Sequence, residues 1–442
     1  MRFIGLDVHK RVVQAFVCDQ AGVTLHSERF ALSLDTLHDF ARRQLDDECA
    51  VALEATTNTW AIVDVLAAFC PRITVSNPMR TKAIAAAKVK TDKVDAQTLA
   101  HLLRCDYLPS VWIPDAPTRT ERSLASRRSA LTRQSISLKN RIHSVLHQRL
   151  VQAPGELFSA NGRAWLQALD LPPVARGEID SLLRMLDTLA EEQAALRTQI
   201  DRTAFASENI KLLMTLPGVD TTTAHAIMAA IGQIDRFACA NQLAAYFGLV
   251  PSVRQSAEHC VHGRITKQGN SNVRWLLIQA AQAAAKHPGP LGHQFARLER
   301  KKNRSVAIVA LARKLAILVW HLLTHQTPYR YAVPATVETK LARLRVSQQG
   351  KRKSGTKKGQ PRPDAYGTGH GSRLRRSLDA ALQNEGLPAT TPAPVAEQRV
   401  IARLGVSHFV QRIQTTTRTP RCAAKPETAP QTLAQAAAPG GS

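Results

Sequence analysis

Residues 3–8, Phe3-Ile4-Gly5-Leu6-Asp7-Val8, are apolar and β-prone, with one charge near their end. They read as a strand and set how the N-terminal quarter is understood. Val12-Val13-Gln14-Ala15-Phe16-Val17 follows as a second strand, and Ala21-Gly22 marks a turn before Val23-Thr24-Leu25. The pattern then predicts a helix over 34–45, a short buried strand Ala50-Val51-Ala52-Leu53-Glu54, a helix over 60–69 and a strand Arg72-Ile73-Thr74-Val75. Strands alternating with helices indicate a layered α/β domain over residues 1–113.

Pro109, Pro114 and Pro117 punctuate the end of that domain. A long helical stretch over about 118–150 carries Leu124, Leu131, Leu138, Ile142 and Leu146. A second, about 176–202, carries Leu182, Leu183, Leu186, Leu189, Leu196 and Ile200. Pro154-Gly155 and Pro172-Pro173 break the region between them. Two such amphipathic helices make an antiparallel coiled hairpin or a dimerising arm, assigned here to 114–205. Residues 206–330 read as all-helical and alanine-rich. From 331 to 442, Gly, Pro, Ser, Thr and basic residues dominate, with Lys351-Arg352-Lys353 and Lys357-Lys358 in a turn-rich context. This segment reads as a disordered basic tail, with a short helix near 371–383.

The 442 residues carry 59 Lys+Arg against 34 Asp+Glu, a net charge of +25. A surplus of that size points to a polyanionic partner, nucleic acid above all. Its distribution is uneven: 1–114 is neutral, with 13 basic and 13 acidic side chains, whereas 115–150 is +6 and 338–442 is +12. Seven cysteines at 18, 49, 70, 105, 239, 260 and 422 include no CxxC pair, which argues against a disulfide scaffold or a zinc ribbon. His259, Cys260 and His262 lie close together but lack a second ligand pair. No run of about 18 apolar residues and no cleavage pattern appears, so no membrane partner is expected, and the expected location is cytoplasmic and nucleoid-associated.

Four carboxylates stand out in the neutral first domain. Asp7 and Glu54 end apolar strands. Asp92 and Asp95 lie three apart at the start of a helix for which Thr91 is a credible N-cap, and that spacing puts them on one face. Hard oxygen ligands suit Mg²⁺, and two divalent ions about 4 Å apart stabilise the attacking and leaving oxygens of a phosphodiester displacement.

With these residues in view, the sequence resembles a DEDD transposase of the insertion-sequence 110 family, related to Piv-type DNA invertases. Ile4-Gly5-Leu6-Asp7-Val8-His9-Lys10, Leu53-Glu54-Ala55-Thr56, Lys90-Thr91-Asp92-Lys93-Val94-Asp95-Ala96 and Ser137-Leu138-Lys139-Asn140-Arg141 carry the likeness, which spans roughly residues 1–325. It implies an α/β RNase H-like (RuvC-like) N-terminal domain in which Asp7, Glu54, Asp92 and Asp95 hold catalytic Mg²⁺, with two ions expected. Thr57-Asn58 stands where the family often has Gly.

In the second half, Leu216-Pro217-Gly218-Val219 before Ala224-His225-Ala226-Ile227 resembles a helix-hairpin-helix, with Gly218 aiming backbone N–H groups at a phosphate. Phe247-Gly248-Leu249-Val250-Pro251, Ser256, Gly263-Arg264-Ile265-Thr266-Lys267-Gln268-Gly269-Asn270 and Arg274 resemble the family's C-terminal transposase domain. The likeness assigns Ser256 as a nucleophile that becomes linked to DNA, with Ser252 as runner-up. Ala257-Glu258 follows Ser256 where the family usually has Gly-Gly. Asn140, Arg141, Gly218, Arg264, Lys267 and Arg274 are the expected nucleic-acid contacts.

The resemblance further implies a composite site, a homo-oligomer (dimer or tetramer), double-stranded donor and target DNA, and an element-encoded guide RNA that bridges them by base pairing. The expected activity is Mg²⁺-dependent DNA strand cleavage and exchange through a phosphoserine intermediate. Its rivals are a RuvC-like structure-specific nuclease or junction resolvase using water attack, and a non-catalytic nucleic-acid-binding protein.

Overall fold

Alternation along the first strand explains how the N-terminal layers form. In β1 (Arg2–Val8), Ile4, Leu6 and Val8 enter one apolar cluster, while Phe3 joins a second on the opposite face. This period of two is what a strand covered on both sides requires. The computed structural model describes residues 1–84, 91–256, 259–351 and 372–420, and the chain divides into two units, Met1–Asp115 and Ala116–Ser442.

The first unit continues with β2 (Val12–Cys18), β3 (Thr24–Ala31), α1 (Leu34–Gln44), β4 (Cys49–Glu54), α2 (Thr59–Leu66), β5 (Ile73–Ser76), α3 (Pro78–Ile84), α4 (Asp92–Arg104) and β6 (Ser110–Val111). The six strands form one mixed sheet in the order β3-β2-β1-β4-β5-β6. β1 pairs antiparallel with β2 and parallel with β4, and β4 pairs parallel with β5. This mixed sheet is consistent with an RNase H-like domain. Helix α1 starts at a reciprocal cap, in which the Ser33 hydroxyl accepts from Thr36 N–H and the Thr36 hydroxyl accepts from Ser33 N–H. Its Leu37 and Phe40 pack with Leu53, Ile62 and Leu66 on one face of the sheet. On the other face lies α4. A Cβ on Gly5 would stand 2.0 Å from the Ala96 carbonyl oxygen, so glycine there lets α4 lie directly on β1.

The second unit opens with α5 (Ala116–His147), α6 (Ala160–Ala168) and α7 (Pro173–Ala206). α5 and α7 run antiparallel: Arg127 pairs with Glu192 at 2.7 Å and Arg141 with Glu178 at 2.7 Å. Then follow α8 (Glu208–Met214), α9 (Thr221–Ile231), α10 (Ala240–Tyr246), β7 (Pro251–Ser256), β8 (His259–Ile265), α11 (Ser271–Ala284), α12 (Pro290–Glu299), α13 (Arg304–His325) and α14 (Pro334–Ser347). One large apolar cluster joins α8 to α14 around Leu311, Leu315 and Val319 of α13. α13 has the length and apolarity of a membrane span, but here it supplies the buried centre of this cluster.

Two expectations are corrected. The segment read as all-helical contains the antiparallel hairpin β7–β8, whose residues are mostly exposed. Its short alternating stretch, Val253-Arg254-Gln255-Ser256, carries too little apolar side chain to mark it against the alanine-rich helices around it. The stretch from 331 is not a disordered tail where it is described. Besides α14 it forms β9 (Ser372–Arg375), α15 (Leu378–Gln383), α16 (Val395–Arg403), α17 (Ser407–Gln414) and β10 (Thr417–Pro420). Leu378, Leu382, Leu387, Ile401, Phe409 and Ile413 are buried in the same cluster as α13. Averaging composition over a Pro-, Gly- and Arg-rich stretch hides such sparse anchors, although each buried Leu or Phe contributes about 1.5–3 kcal/mol. Arg352, Lys353, Lys357 and Lys358 lie outside the described residues.

Candidate functional site

The sheet brings the first two acids together by register. Leu6 pairs with Leu53 across parallel strands β1 and β4, so Asp7 and Glu54 are the next residues at the same edge. Asp7 shares the strand face of Phe3 and Gly5, and Glu54 that of Ala50; Phe3 and Ala50 pack with Ala96 and Ala100 of α4. Thr91 caps α4, its hydroxyl accepting from Val94 N–H. That starts the helix at Asp92 and sets Asp92 and Asp95 in its first turn.

At the site, Asp7 Oδ2 lies 3.1 Å from His9 Nε2, which lies 3.2 Å from Asp92 Oδ1. Ligand atoms of Asp7, His9 and Asp92 all fall within 4.8 Å of one another, the one such cluster of three or more among the described residues. Burial pushes the Asp7 carboxyl above its ordinary range; Asp95 and Asp92 push the same way, and His9 opposes them. A half-buried carboxylate crowded by two further acids makes a place where a cation is favoured. The donors are mainly hard carboxylate oxygens with one imidazole, a set that fits a divalent ion. Glu54 and Asp95 stand outside the 4.8 Å cluster, although Asp95 is near enough to act on Asp7.

Sequence alone assigns no role to His9 or Arg29. Residues 7 and 9 are two apart along extended chain and so share a side, which is the signal that His9 carried. Arg29 Nη2, on β3, reaches Asp92 Oδ2 at 3.7 Å. Together with Lys10 and Arg11 it rims an open cavity of about 460 Å³ beside His9 and Asp92. In the β4–α2 turn, Thr57-Asn58 needs no glycine. Asn58 has φ −106°, and the Thr56 hydroxyl donates to Asn58 Oδ1 at 2.6 Å while Thr59 Oγ1 accepts from Thr56 N–H.

In the second unit, Ser256 and Ser252 are both exposed on β7. Ser256 pairs with His259 at the end of the hairpin, and Ala257-Glu258 lie outside the described residues. Cys260 is also exposed, and the His262 side chain lies outside the described residues. Arg264 and Lys267 are exposed, and Lys267 adopts φ +55°. Arg274 is used internally: its Nη1 donates to Phe247 O at 3.1 Å and Gln268 O at 3.3 Å. It ties the Phe247-Gly248 turn to the 266–270 loop, where glycine permits close approach. A Cβ on Gly269 would meet Tyr246 O at 2.0 Å, and one on Gly248 would meet Gln268 O at 2.2 Å. Gly218 has φ +78°, and a Cβ there would meet the Ala280 carbonyl oxygen of α11 at 2.2 Å, so its observed role is packing between α8–α9 and α11. Arg141 is paired with Glu178, and Asn140 is exposed beside it.

Comparison with known proteins adds to this geometry. Residues 4–150 match a family profile described as a transposase, of the DEDD type of IS110, and residues 210–297 match one described as "Transposase IS116/IS110/IS902 family". A "Probable family 20 transposase" of Pseudomonas aeruginosa is 28% identical over 347 residues, covering 74% of this chain and 98% of its own. The "Transposase for insertion sequence element IS1111A" of Coxiella burnetii is 28% identical over 254 residues, 54% of this chain and 68% of its own. The "Transposase for insertion sequence element IS1328" of Yersinia enterocolitica is 22% identical over 343 residues, 74% of this chain and 98% of its own. The acids Asp7, Glu54, Asp92 and Asp95 and the hairpin with Ser256 all fall inside the matched spans.

Proposed function

Since the chain belongs to the IS116/IS110/IS902 family of insertion-sequence transposases, we propose that it cleaves and exchanges DNA strands through a covalent phosphoserine intermediate, with Mg²⁺ as its metal. The observation that carries the metal half is the convergence of Asp7, His9 and Asp92, with Asp95 close enough to shift the Asp7 carboxyl. Asp7, Glu54, Asp92 and Asp95 are the residues that would hold the metal. When bound, it would supply positive charge to the displacement at phosphorus.

The remaining chemistry belongs to the chain. Ser256 Oγ attacks the scissile phosphorus and forms the serine ester as the bond from phosphorus to the leaving strand's 3′ or 5′ oxygen breaks, and the serine's O–H proton passes by way of water to that leaving oxygen. That ester keeps the energy of the broken phosphodiester until a second strand's hydroxyl displaces the serine. An exposed hairpin end suits a nucleophile that must reach a rigid duplex. Arg264 and Lys267, on the same segment, offer cations to the flanking phosphates. His9 holds Asp7 and Asp92 in place from its position between them. A net charge of +25 without a base-reading motif supports the further proposal that sequence is chosen by an element-encoded guide RNA, while the protein reads backbone and helix shape.

The test is a denaturing assay on end-labelled element DNA with Mg²⁺ and RNA transcribed from the element's flank. A covalent protein–DNA adduct that survives in Ser252→Ala and vanishes in Ser256→Ala is the expected result. Cleavage without an adduct would instead identify water as the nucleophile and overturn the serine step.

A further inference from the structure

The second unit holds a pair of neighbouring cavities that none of the residues above explains. One, of about 370 Å³, lies between α5 and the start of α11, and the other, of about 230 Å³, adjoins it. Ser129, Arg133 and Asn272 line both. Ser126, Ser129 and Arg133 recur at three- and four-residue intervals, so α5 presents them as a stripe along one face. The exposed Arg133 donates from Nη1 to Ser129 Oγ at 3.3 Å, which holds the guanidinium along this stripe and uses one of its five donors. Arg128 adds a second guanidinium to the smaller cavity. Trp275, one turn further along α11, closes that cavity and is 45% exposed.

An indole left this open on a basic, hydroxyl-rich surface is unusual for packing, because the same ring buried would contribute its full apolar area. It has the chemistry to stack on a planar base. The hydroxyl of Ser129, the amide of Asn272 and the guanidinium of Arg133, which line the same cavity, match the phosphate of the same nucleotide, while Arg128 faces Asp220 and Asp201. We propose that this α5–α11 groove binds an unpaired nucleotide segment, with its phosphate held by Arg133, Ser129 and Asn272 and its base stacked on Trp275. A paired base offers only its edges and cannot stack on the indole, so the groove selects single strands over duplex. Single-stranded DNA and single-stranded RNA share this chemistry, and both are arms of the test. The proposal rests on the nucleic-acid function above but not on the serine or the metal.

The experiment measures binding of short single-stranded DNA and RNA oligonucleotides, and of the matching duplex, to the full-length protein without divalent metal. Trp275→Ala is expected to weaken single-strand binding about tenfold or more. Trp275→Phe, which keeps a ring, should restore most of it, and duplex binding should change less than twofold. Arg133→Ala should lower the slope of log affinity against log salt by about 0.7, one phosphate's share for a single strand. Loss with both DNA and RNA supports a general single-strand site, and loss with one alone supports the site and identifies its source. Unchanged single-strand binding in Trp275→Ala, or an equal loss on duplex, overturns the proposal. Adduct formation, measured separately, distinguishes the two readings. An adduct made by a protein whose Trp275→Ala variant binds normally sinks only the groove, whereas selective single-strand loss without any adduct sinks only the serine reaction.

Discussion

The acid cluster and the Ser256 hairpin are built on opposite principles. Asp7 and Glu54 stand at the ends of adjacent central strands whose Ile4, Leu6, Val51 and Leu53 are fully buried. Ser256 stands on a two-stranded hairpin whose side chains are mostly in water. Metal-binding carboxylates need positions fixed to a fraction of an ångström, and a packed sheet provides that rigidity. A nucleophile that must be delivered to a duplex gains from an exposed support instead. The contrast is between a site held by the core and a group presented from the surface.

The largest effect that tests this contrast is at Asp7. Asp7→Asn should reduce strand exchange to background and leave DNA binding intact. It should also raise the melting temperature of the metal-free protein, because it removes a buried charge crowded by Asp95 and Asp92. Added Mg²⁺ or Mn²⁺ should raise the melting temperature of the wild type and not of the variant. A variant that keeps its activity, or that responds to the metal as the wild type does, would remove the acid cluster from the chemistry. Ser256→Ala should abolish exchange as well, but with no change in thermal stability.

A matched pair of glycine substitutions probes the supports directly. In Gly5→Ala the new methyl would sit 2.0 Å from the Ala96 carbonyl oxygen and 2.7 Å from Ala100 N, both backbone atoms of the packed α4. α4 must move, taking Asp92 and Asp95 with it, so about 3 kcal/mol of stability and most of the activity should be lost. In Gly263→Ala the closest atom, at 2.4 Å, is the hydroxyl of exposed Ser252, which can rotate away. The cost there should stay below about 0.5 kcal/mol in denaturant titration. Similar losses at both positions would mean that the hairpin is held as rigidly as the sheet.

The same contrast explains what could be read from the sequence. β1, β2 and β4 were legible because burial on both faces writes near-continuous apolar runs, and the acids were legible because a charge ending such a run is conspicuous. The strands of the Ser256 hairpin leave no comparable pattern, since exposed strands need few apolar residues. β6, of two residues, is too short to show any periodicity. His9 escaped assignment because its role comes from α4 bringing Asp92 above β1, a tertiary event that the motif does not encode. Arg29 reaches Asp92 from β3, again through packing rather than spacing. An arginine beside a Gly-rich segment carries the same signature whether it binds phosphate or, as Arg274 does, the carbonyls of the surrounding loops.

A last test concerns the C-terminal helices, which composition assigned to a disordered tail apart from a short helix near 371–383. His287, just past the end of α11, places its ring 5.5 Å from Phe409 of α17, edge to face. Its Nδ1 accepts from Gly289 N–H at 3.1 Å, so the neutral ring carries its proton on Nε2. Burial, helped by Lys340 nearby, lowers its pKa to about 4. The unfolded chain therefore takes up a proton near the ordinary value of 6.5 while the folded chain does not, and stability falls as pH drops from about 6.5 towards 4. The contribution is fully present above 6.5, and its loss has a limiting slope of about 1.4 kcal/mol per pH unit. His287→Asn keeps an acceptor for Gly289 but cannot titrate, so its stability should fall less steeply across that window, with the two curves parallel above pH 7. Parallel curves throughout would mean that His287 is open to water, and that α17 does not cover it as a folded part of the second unit must.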